Sequence, residues 1–404
     1  MKIMIVGGTW NEQYNATDNS GYTGLYRKSE DGMDKDLDSC KLNHAHGRAS
    51  GLVTKVIHAL KPYASELFFA NGGKYSDLQT YLEQAKDYDV VFWWANVDNS
   101  LPKVRDVKAV APHTLLVTSK RNDVSYYGNR KYDFEDLIQR SLKAKANLCF
   151  EFSKAENSLL FGIRVFDPLG CLWYDGTNIE DAVTIACERL LYLSSVTRKG
   201  SSSVGELPEI TFSKTDDKFL EIVKSSANTF HKLMQLPEHV DRFVGNASLR
   251  FKNPTRCMNG FPGIRKGDTI LISRRNVDKT GITLDDFVPC RLGDVGEVTY
   301  LGDKKPSVDA PVQLRLFEKL PNIDYILHGH CYVENAPMTK TVVPCGAIEE
   351  IDAVMPCVEE YYGTDADFIA VNLKGHGCLI MAGKNKLKKM KGIEFVTRPM
   401  PEIM

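Results

Sequence analysis

The sequence predicts two domains of different class, an α/β domain followed by an α+β domain. The chain is 404 residues long, which at ~150 residues per domain divides most naturally in two. Its first half alternates short apolar runs with helical patterns, as a parallel sheet covered by helices requires. Its second half strings apolar runs together with few helices between them, which suits a mostly antiparallel sheet. A hydrophobic share of 43% is ample for two cores and excludes a disordered chain or a disulfide-stapled mini-protein.

In the first half, KIMIVGG (2–8) is a short apolar run ending in glycines, the signature of a buried first strand. The stretch from Thr9 to about Asn43 is rich in Asn, Asp, Gly and Tyr and reads as a long loop. A helix is expected at Arg48–Leu60, a strand at Glu66–Ala70 and a helix at Ser76–Ala85. Strands follow at Asp89–Ala95 and His113–Thr118, a helix at Phe134–Ala144, strands near Ala146–Phe152 and Leu159–Phe166, and a helix at Ile179–Ser194. Residues 1–195 are therefore expected to form a doubly wound, Rossmann-like α/β domain. Ser and Gly cluster in Arg198–Leu207, so 196–215 reads as a linker.

The second domain, 216–404, opens with a helix at Asp216–Leu236. Strands are expected at Phe243–Phe251, Thr269–Ser273, Phe287–Arg291 and Glu297–Leu301. A helix at Val308–Leu320 leads into the strand Ile323–Leu327. The helix Ile348–Tyr361, the strands Phe368–Asn372 and Cys378–Ala382, and a basic tail complete it.

Lys and Arg number 51 against 52 Asp and Glu, a net charge of −1. That balance excludes a globally basic, nucleic-acid-coating protein. No segment approaches the ~18 apolar residues of a membrane span, and MKIMIVGGTW is too short an apolar run for a signal peptide. The ten cysteines stand singly, with no C-x-x-C pair, and read as reduced thiols. A cytoplasmic protein is expected.

The histidines carry more information. His328 and His330 flank Gly329 directly after the apolar run 323–327. On a strand, residues at i and i+2 share a face, so two imidazoles can reach one metal ion. The small glycine between them leaves the opposite face uncrowded. His376 lies between apolar runs too, flanked by Gly375 and Gly377. Three imidazoles with a position left open are the donor set of a catalytic zinc site. The same H-x-H spacing also suits two histidines that merely end a strand at the surface. His44 and His46 repeat it within a polar stretch without a preceding strand, and read as solvated or as contacts of the first domain.

Four motifs in order add a resemblance: GNASLR (245–250), GDTILIS with GITLDDFV (267–273 and 281–288), KPSVDAPVQLRLFEKLPNIDYILHGH (305–330) and IAVNLKGHG (369–377). From about Asp216 to Gly383 the chain resembles the class II aldolase/adducin family. The resemblance implies a class II aldolase/adducin-like C-terminal domain in which His328, His330 and His376 bind a divalent metal, zinc by family habit. It places Asp309 where these enzymes carry a glutamate that exchanges a proton with substrate. Retro-aldol cleavage builds an enediolate, which needs a Lewis acid and a carboxylate to move protons. Asp309 also lies in the first turn of a helix, where the dipole favours an acid whatever its chemistry. Asn246 and Ser307 match anion-binding positions of the family. Where the aldolases place a small Thr/Ser-Gly turn, this chain has Ser273-Arg274-Arg275-Asn276. The two arginines suit either a forked grip on an anion or a solvated turn.

The resemblance implies a lyase acting on a small anionic, phosphorylated hydroxy-carbonyl compound, and a tetrameric homo-oligomer. A dehydratase, epimerase or decarboxylase would use the same metal–enolate chemistry, and adducin-like relatives keep the fold as an interaction module. For residues 1–195 a nucleotide is one candidate ligand, because a helix opening at GRASG (47–51) after the first strand has the form of a phosphate site. No G-x-G-x-x-G follows that strand, so a plain scaffold fits equally. Trp93, Trp94, Asn96 and Asp98 close one strand, and Ser119, Lys120, Arg121 and Asp123 another, where such folds place ligands. The lysine-rich run 384–392 reads as a solvated end.

Overall fold

A computed structural model describes residues 1–7, 23–28, 34–36, 48–71, 75–95, 104–122, 132–154, 161–207, 213–233, 245–251, 269–293 and 296–404. The chain divides into two compact units, Met1–Ser195 with Pro401–Met404, and Val196–Met400.

In the first unit Ile3, Met4, Ile5 and Val6 have no exposed surface. A strand buried on both faces reads as an unbroken apolar run, which is why KIMIV lacks alternation. This strand, β1 (Lys2–Gly7), lies between the parallel strands Glu66–Asn71 and Val90–Ala95. Parallel pairing continues through Thr114–Asn122 to Leu148–Lys154. Phe161–Phe166 and Cys171–Gly176 add antiparallel strands, and Glu402–Ile403 closes that edge. The other edge holds Thr23–Lys28 and Asp34–Asp36. Among the described residues the sheet is therefore mixed and ten-stranded.

Part of the expected long loop is thus strand, and the remainder of Thr9–Asn43, with His44, His46 and Gly47, lies outside the described residues. So do Asn96, Asp98 and Asp123. Helices Arg48–Leu60 and Ile179–Ser195 cover one face through Leu52, Val56, Leu60, Val183 and Leu190, packed on Ile3, Ile5, Phe92 and Phe150. Trp93 and Trp94 are core residues, 1% and 3% exposed. Helix Phe134–Ala144 starts where the Asp133 carboxylate accepts a hydrogen bond from Asp136 N at 2.8 Å, and ends at Lys145 in the left-handed region.

The second unit is built on a sheet of eight strands among the described residues. Its strands β11 (Asn246–Arg250), β12 (Thr269–Ser273), β13 (Phe287–Leu292), β14 (Val298–Leu301), β15 (Tyr325–Gly329), β17 (Phe368–Leu373) and β18 (Gly377–Ala382) pair antiparallel. The exception is Ser201–Gly205, which joins the edge parallel to β14. That strand falls inside the segment expected as a linker. It is polar and mostly exposed, so edge strand and linker have the same composition.

The antiparallel sheet carries a core on each face. Helix Lys214–Leu233 packs Phe219, Val223 and Phe230 against Leu249, Leu327 and Ile380. On the other face helices Ala310–Lys319 and Glu350–Tyr361 pack Val312, Leu316, Val354 and Val358 against Ile270, Ile326 and Met381. Alternation along β15 sends Tyr325 and Leu327 to the first face, and Ile326 and His328 to the second.

Candidate metal centre

The site grows from the C-terminal end of β15. Asn246 on β11 stands opposite His328, and antiparallel partners share a face, so both point toward helix Ala310–Lys319. His330 lies one residue beyond the strand. Gly329 between them is forced: a Cβ there would stand 2.6 Å from the Phe230 ring. His376 arrives on the turn joining β17 to β18, its N–H donating to Leu373 O at 2.9 Å. The flanking Gly377 takes φ +156° and passes so close to Gly329 that a Cβ would lie 2.0 Å from its carbonyl oxygen. Only glycine fits there.

The three rings meet with centroids 5.1 Å (His328–His330), 4.7 Å (His328–His376) and 5.0 Å (His330–His376) apart. His328 Nδ1 lies 2.9 Å from Cys378 O, and a carbonyl only accepts, so Nδ1 carries the proton. His376 Nδ1 is 3.0 Å from Glu350 Oε2. Each ring is left with one buried nitrogen lacking a hydrogen-bond partner, Nε2 of His328, Nδ1 of His330 and Nε2 of His376. One ligand atom from each ring lies within 4.8 Å of the others. Three imidazoles that bring a ligand nitrogen each to one place, and each keep a buried nitrogen without a partner, fit a divalent cation, and carbonyl and carboxylate groups behind them are the usual second layer of such sites.

Protonation agrees. Burial, with the neighbouring His376, pulls the His328 imidazole down to about 4, and burial pulls His330 well below the usual histidine range. Both stay neutral at pH 7, the form a metal needs. Burial lowers His376 too, but the hydrogen bond and charge of Glu350 outweigh it and the group is raised overall. Burial likewise pushes the Glu350 carboxyl up, partly offset by its bond to His376.

Asp309 immediately precedes helix Ala310–Lys319 but does not cap it with its side chain. Its Oδ2 accepts from Asn246 Nδ2 at 2.5 Å and its Oδ1 from the Cys345 thiol at 3.3 Å. Gln313 Nε2 in turn donates to Asn246 Oδ1. Asp309 is 5% exposed, and its charge raises both His328 and His376. The aspartate is thus held by side chains facing the histidines.

The expected anion-binding residues divide. Asn246 belongs to the cluster. Ser307 Oγ accepts from Asp309 N at 3.4 Å, and the buried Ser273 Oγ accepts from Ala247 N at 3.2 Å. Arg274 is tied by Nε to Asp286 Oδ1 at 2.7 Å, and Arg275 is exposed beside Asn276, which adopts φ +59°. Sequence reasoning missed Glu350, Cys345, Gln313 and Arg398, whose Nη1 donates to Gly375 O at 2.9 Å. None has a local spacing that marks it; the fold brings them in from separate loops and helices.

Residues 226–384 match the family profile described as Class II Aldolase and Adducin N-terminal domain. The second unit resembles the class II aldolase/adducin family. Among solved structures, an L-fuculose 1-phosphate aldolase is 16% identical over 42% of this chain and 83% of its own, with a TM-score of 0.27. An aldolase II superfamily protein from Pseudomonas syringae is 10% identical over 46% of this chain and 75% of its own, at 0.29. A DNA/pantothenate metabolism flavoprotein from Streptococcus pneumoniae is 13% identical over 48% and 99%, at 0.30. No curated protein matches the sequence. No helix among the described residues is long and apolar enough to cross a membrane.

Proposed function

We propose that the second unit is a metal-dependent lyase of the class II aldolase type, making or breaking a C–C bond in a small phosphorylated hydroxy-carbonyl compound. The observation that carries this reading is the convergence of three imidazoles, each with an unpaired buried nitrogen, beside a buried carboxylate. His328, His330 and His376 would hold the cation, zinc by the family's habit. When bound, such a cation polarises a carbonyl oxygen as a Lewis acid and offsets the charge of an enediolate. The chain's own groups do the rest. Asp309 moves the proton, and Asn246 and Cys345 fix the carboxylate that does so. Glu350 holds His376 in the tautomer that leaves Nε2 free.

A dehydratase, epimerase or decarboxylase is the second reading, favoured by Asp309 itself. It reaches one methylene less than a glutamate, and both its oxygens already accept hydrogen bonds. An adducin-like interaction module has no use for three buried unpaired nitrogens. We read the first unit as a Rossmann-like doubly wound scaffold on its run of five parallel strands. A nucleotide is its candidate ligand. The reading also takes the protein as a cytoplasmic homo-oligomer, tetrameric by the resemblance, with a small anionic substrate and no nucleic-acid or membrane partner.

Elemental analysis of the purified protein should find a divalent metal near one per chain; a metal-free active protein would sink both enzymatic readings. Incubation with dihydroxyacetone phosphate and a panel of aldehydes should give a condensation product. Its absence with every aldehyde, in metal-loaded protein, would favour the second reading.

A further inference from the structure

Glycine stands on both sides of His376, and glycine restricts the backbone less than any other residue. The turn that carries the third imidazole is therefore not held in shape by its own backbone, and its shape must come from contacts. Lys374 N donates to Thr339 Oγ1 at 3.0 Å, and Gly375 N donates to Tyr332 Oη at 2.9 Å. Arg398 Nη1 donates to Gly375 O at 2.9 Å. The two peptide groups flanking Gly375 are thus each gripped by a side chain, and the second of them is the peptide that joins His376.

Both gripping side chains belong to one small ribbon. Tyr332–Val333 and Phe395–Val396 pair antiparallel, with Tyr332 opposite Val396. Tyr332 stands two residues after His330, and Arg398 two residues after Val396. Asn372 anchors the ribbon to β17: its Oδ1 accepts from Val333 N at 2.8 Å and its Nδ2 donates to Val333 O at 2.9 Å. The Phe395 ring packs edge-on against Phe230, with centroids 4.9 Å apart, and Phe230 is the ring that forces Gly329. The segment 395–398 thus bears on two of the three imidazoles. It pairs with the chain leaving His330, and it bonds the peptide entering His376.

Arg398 is 5% exposed. A guanidinium does not shed its charge as a buried lysine can, and its burial is costly unless its N–H groups are bonded. An apolar side chain would fill the space without that cost. We propose that Arg398 is a positioning residue of the metal centre, fixing the His376 peptide so that its imidazole meets those of His328 and His330 at one cation. The assignment rests on the metal reading above and extends the centre to the ribbon. Partners behind a metal ligand account for about ten- to a hundredfold in affinity. The guanidinium charge by itself repels a second cation, so the sign of the effect separates positioning from charge.

The test measures zinc affinity of the full chain by competition with a chromophoric chelator. It also records the visible spectrum of the cobalt(II)-substituted protein, which reports ligand geometry. Arg398→Met should weaken zinc binding about ten- to a hundredfold and alter the cobalt bands, in protein whose circular dichroism matches the parent's. Tyr332→Phe, which removes only the acceptor for Gly375 N, should act in the same direction. A loss of fold stability alone would move neither readout in the folded protein. Unchanged affinity and spectrum in folded Arg398→Met overturn the proposal. Tighter zinc binding overturns it too, since charge would then outweigh the bond. If Arg398→Met does not fold, Tyr332→Phe decides, and parent-like zinc affinity in that variant overturns the proposal. A parent that binds neither zinc nor cobalt refutes the metal reading, and the assignment falls with it. A parent and a variant that bind zinc equally refute the assignment alone.

Discussion

In the first unit's sheet the buried acid Glu151, 1% exposed, has its charge met by its neighbours. Asn122 Nδ2 donates to its Oε1 at 2.6 Å, its Oε2 makes no hydrogen bond but is neutralised by Arg164 Nη2 at 2.6 Å, and Asn122 also grips the backbone of Tyr132 in both directions. The second unit's sheet buries its ionisable groups at the end of β15, and there the network stays open, with an unpaired nitrogen on each of three imidazoles. Both arrangements pay the desolvation cost of polar groups. One recovers it within the chain by pinning strands and a loop. The other recovers it only when something else binds. A charge met by a countercharge of the same chain reads as architecture, a cluster of unpaired imidazole nitrogens as a site.

Removing one ligand breaks that comparison most severely. His376→Ala should reduce bound metal from near one per chain to a trace, measured by elemental analysis after dialysis. Were the first unit the metal carrier, the content would not change. Glu350 would lose its partner in the same variant, and a buried acid without a hydrogen bond adds a folding penalty.

Asp309→Asn separates the two halves of the centre. The amide keeps the size of the side chain and its place beside Asn246, but it no longer takes up a proton. Metal content should stay at the parent level while turnover falls by about 10²–10⁴-fold. Full activity would show that the acid serves the helix dipole, a reading already weakened because its side chain makes no cap bond.

What was legible in the sequence follows from the range of each signal. His328 and His330 announce themselves because a two-residue spacing after an apolar run is local. His376 shows through the glycines that its turn and the close approach of Gly329 require. Glu350 and Cys345 give no sign, since each enters the centre from an element whose own pattern is ordinary. The strand Ser201–Gly205 was illegible for a related reason: four of its five residues face solvent, so no apolar alternation marks it. The short strands at 332–333, 395–396 and 402–403 are too brief for any periodicity. In the first unit Cys171–Gly176 has only two buried residues and is likewise unmarked by alternation. The polar stretch before residue 48 hid two strands, because edge strands share their composition with loops.

The smallest expected effect sharpens the comparison from the architectural side. Asp133 accepts a hydrogen bond from Asp136 N at 2.8 Å and caps helix Phe134–Ala144, whose Leu137, Ile138 and Ala144 are buried. Asp133→Ala should cost about 1 kcal/mol, the usual value of an N-cap. The loss belongs to the first unit, which has its own core. Chemical denaturation followed by tryptophan fluorescence should therefore show an earlier transition, since Trp93, Trp94 and Trp173 lie in that unit. Bound metal should be unaffected, and so should the added stability that metal gives to the unit that binds it. A cap substitution that released metal would mean the two networks are energetically one, and the division between architecture and site drawn from their hydrogen bonds would fail.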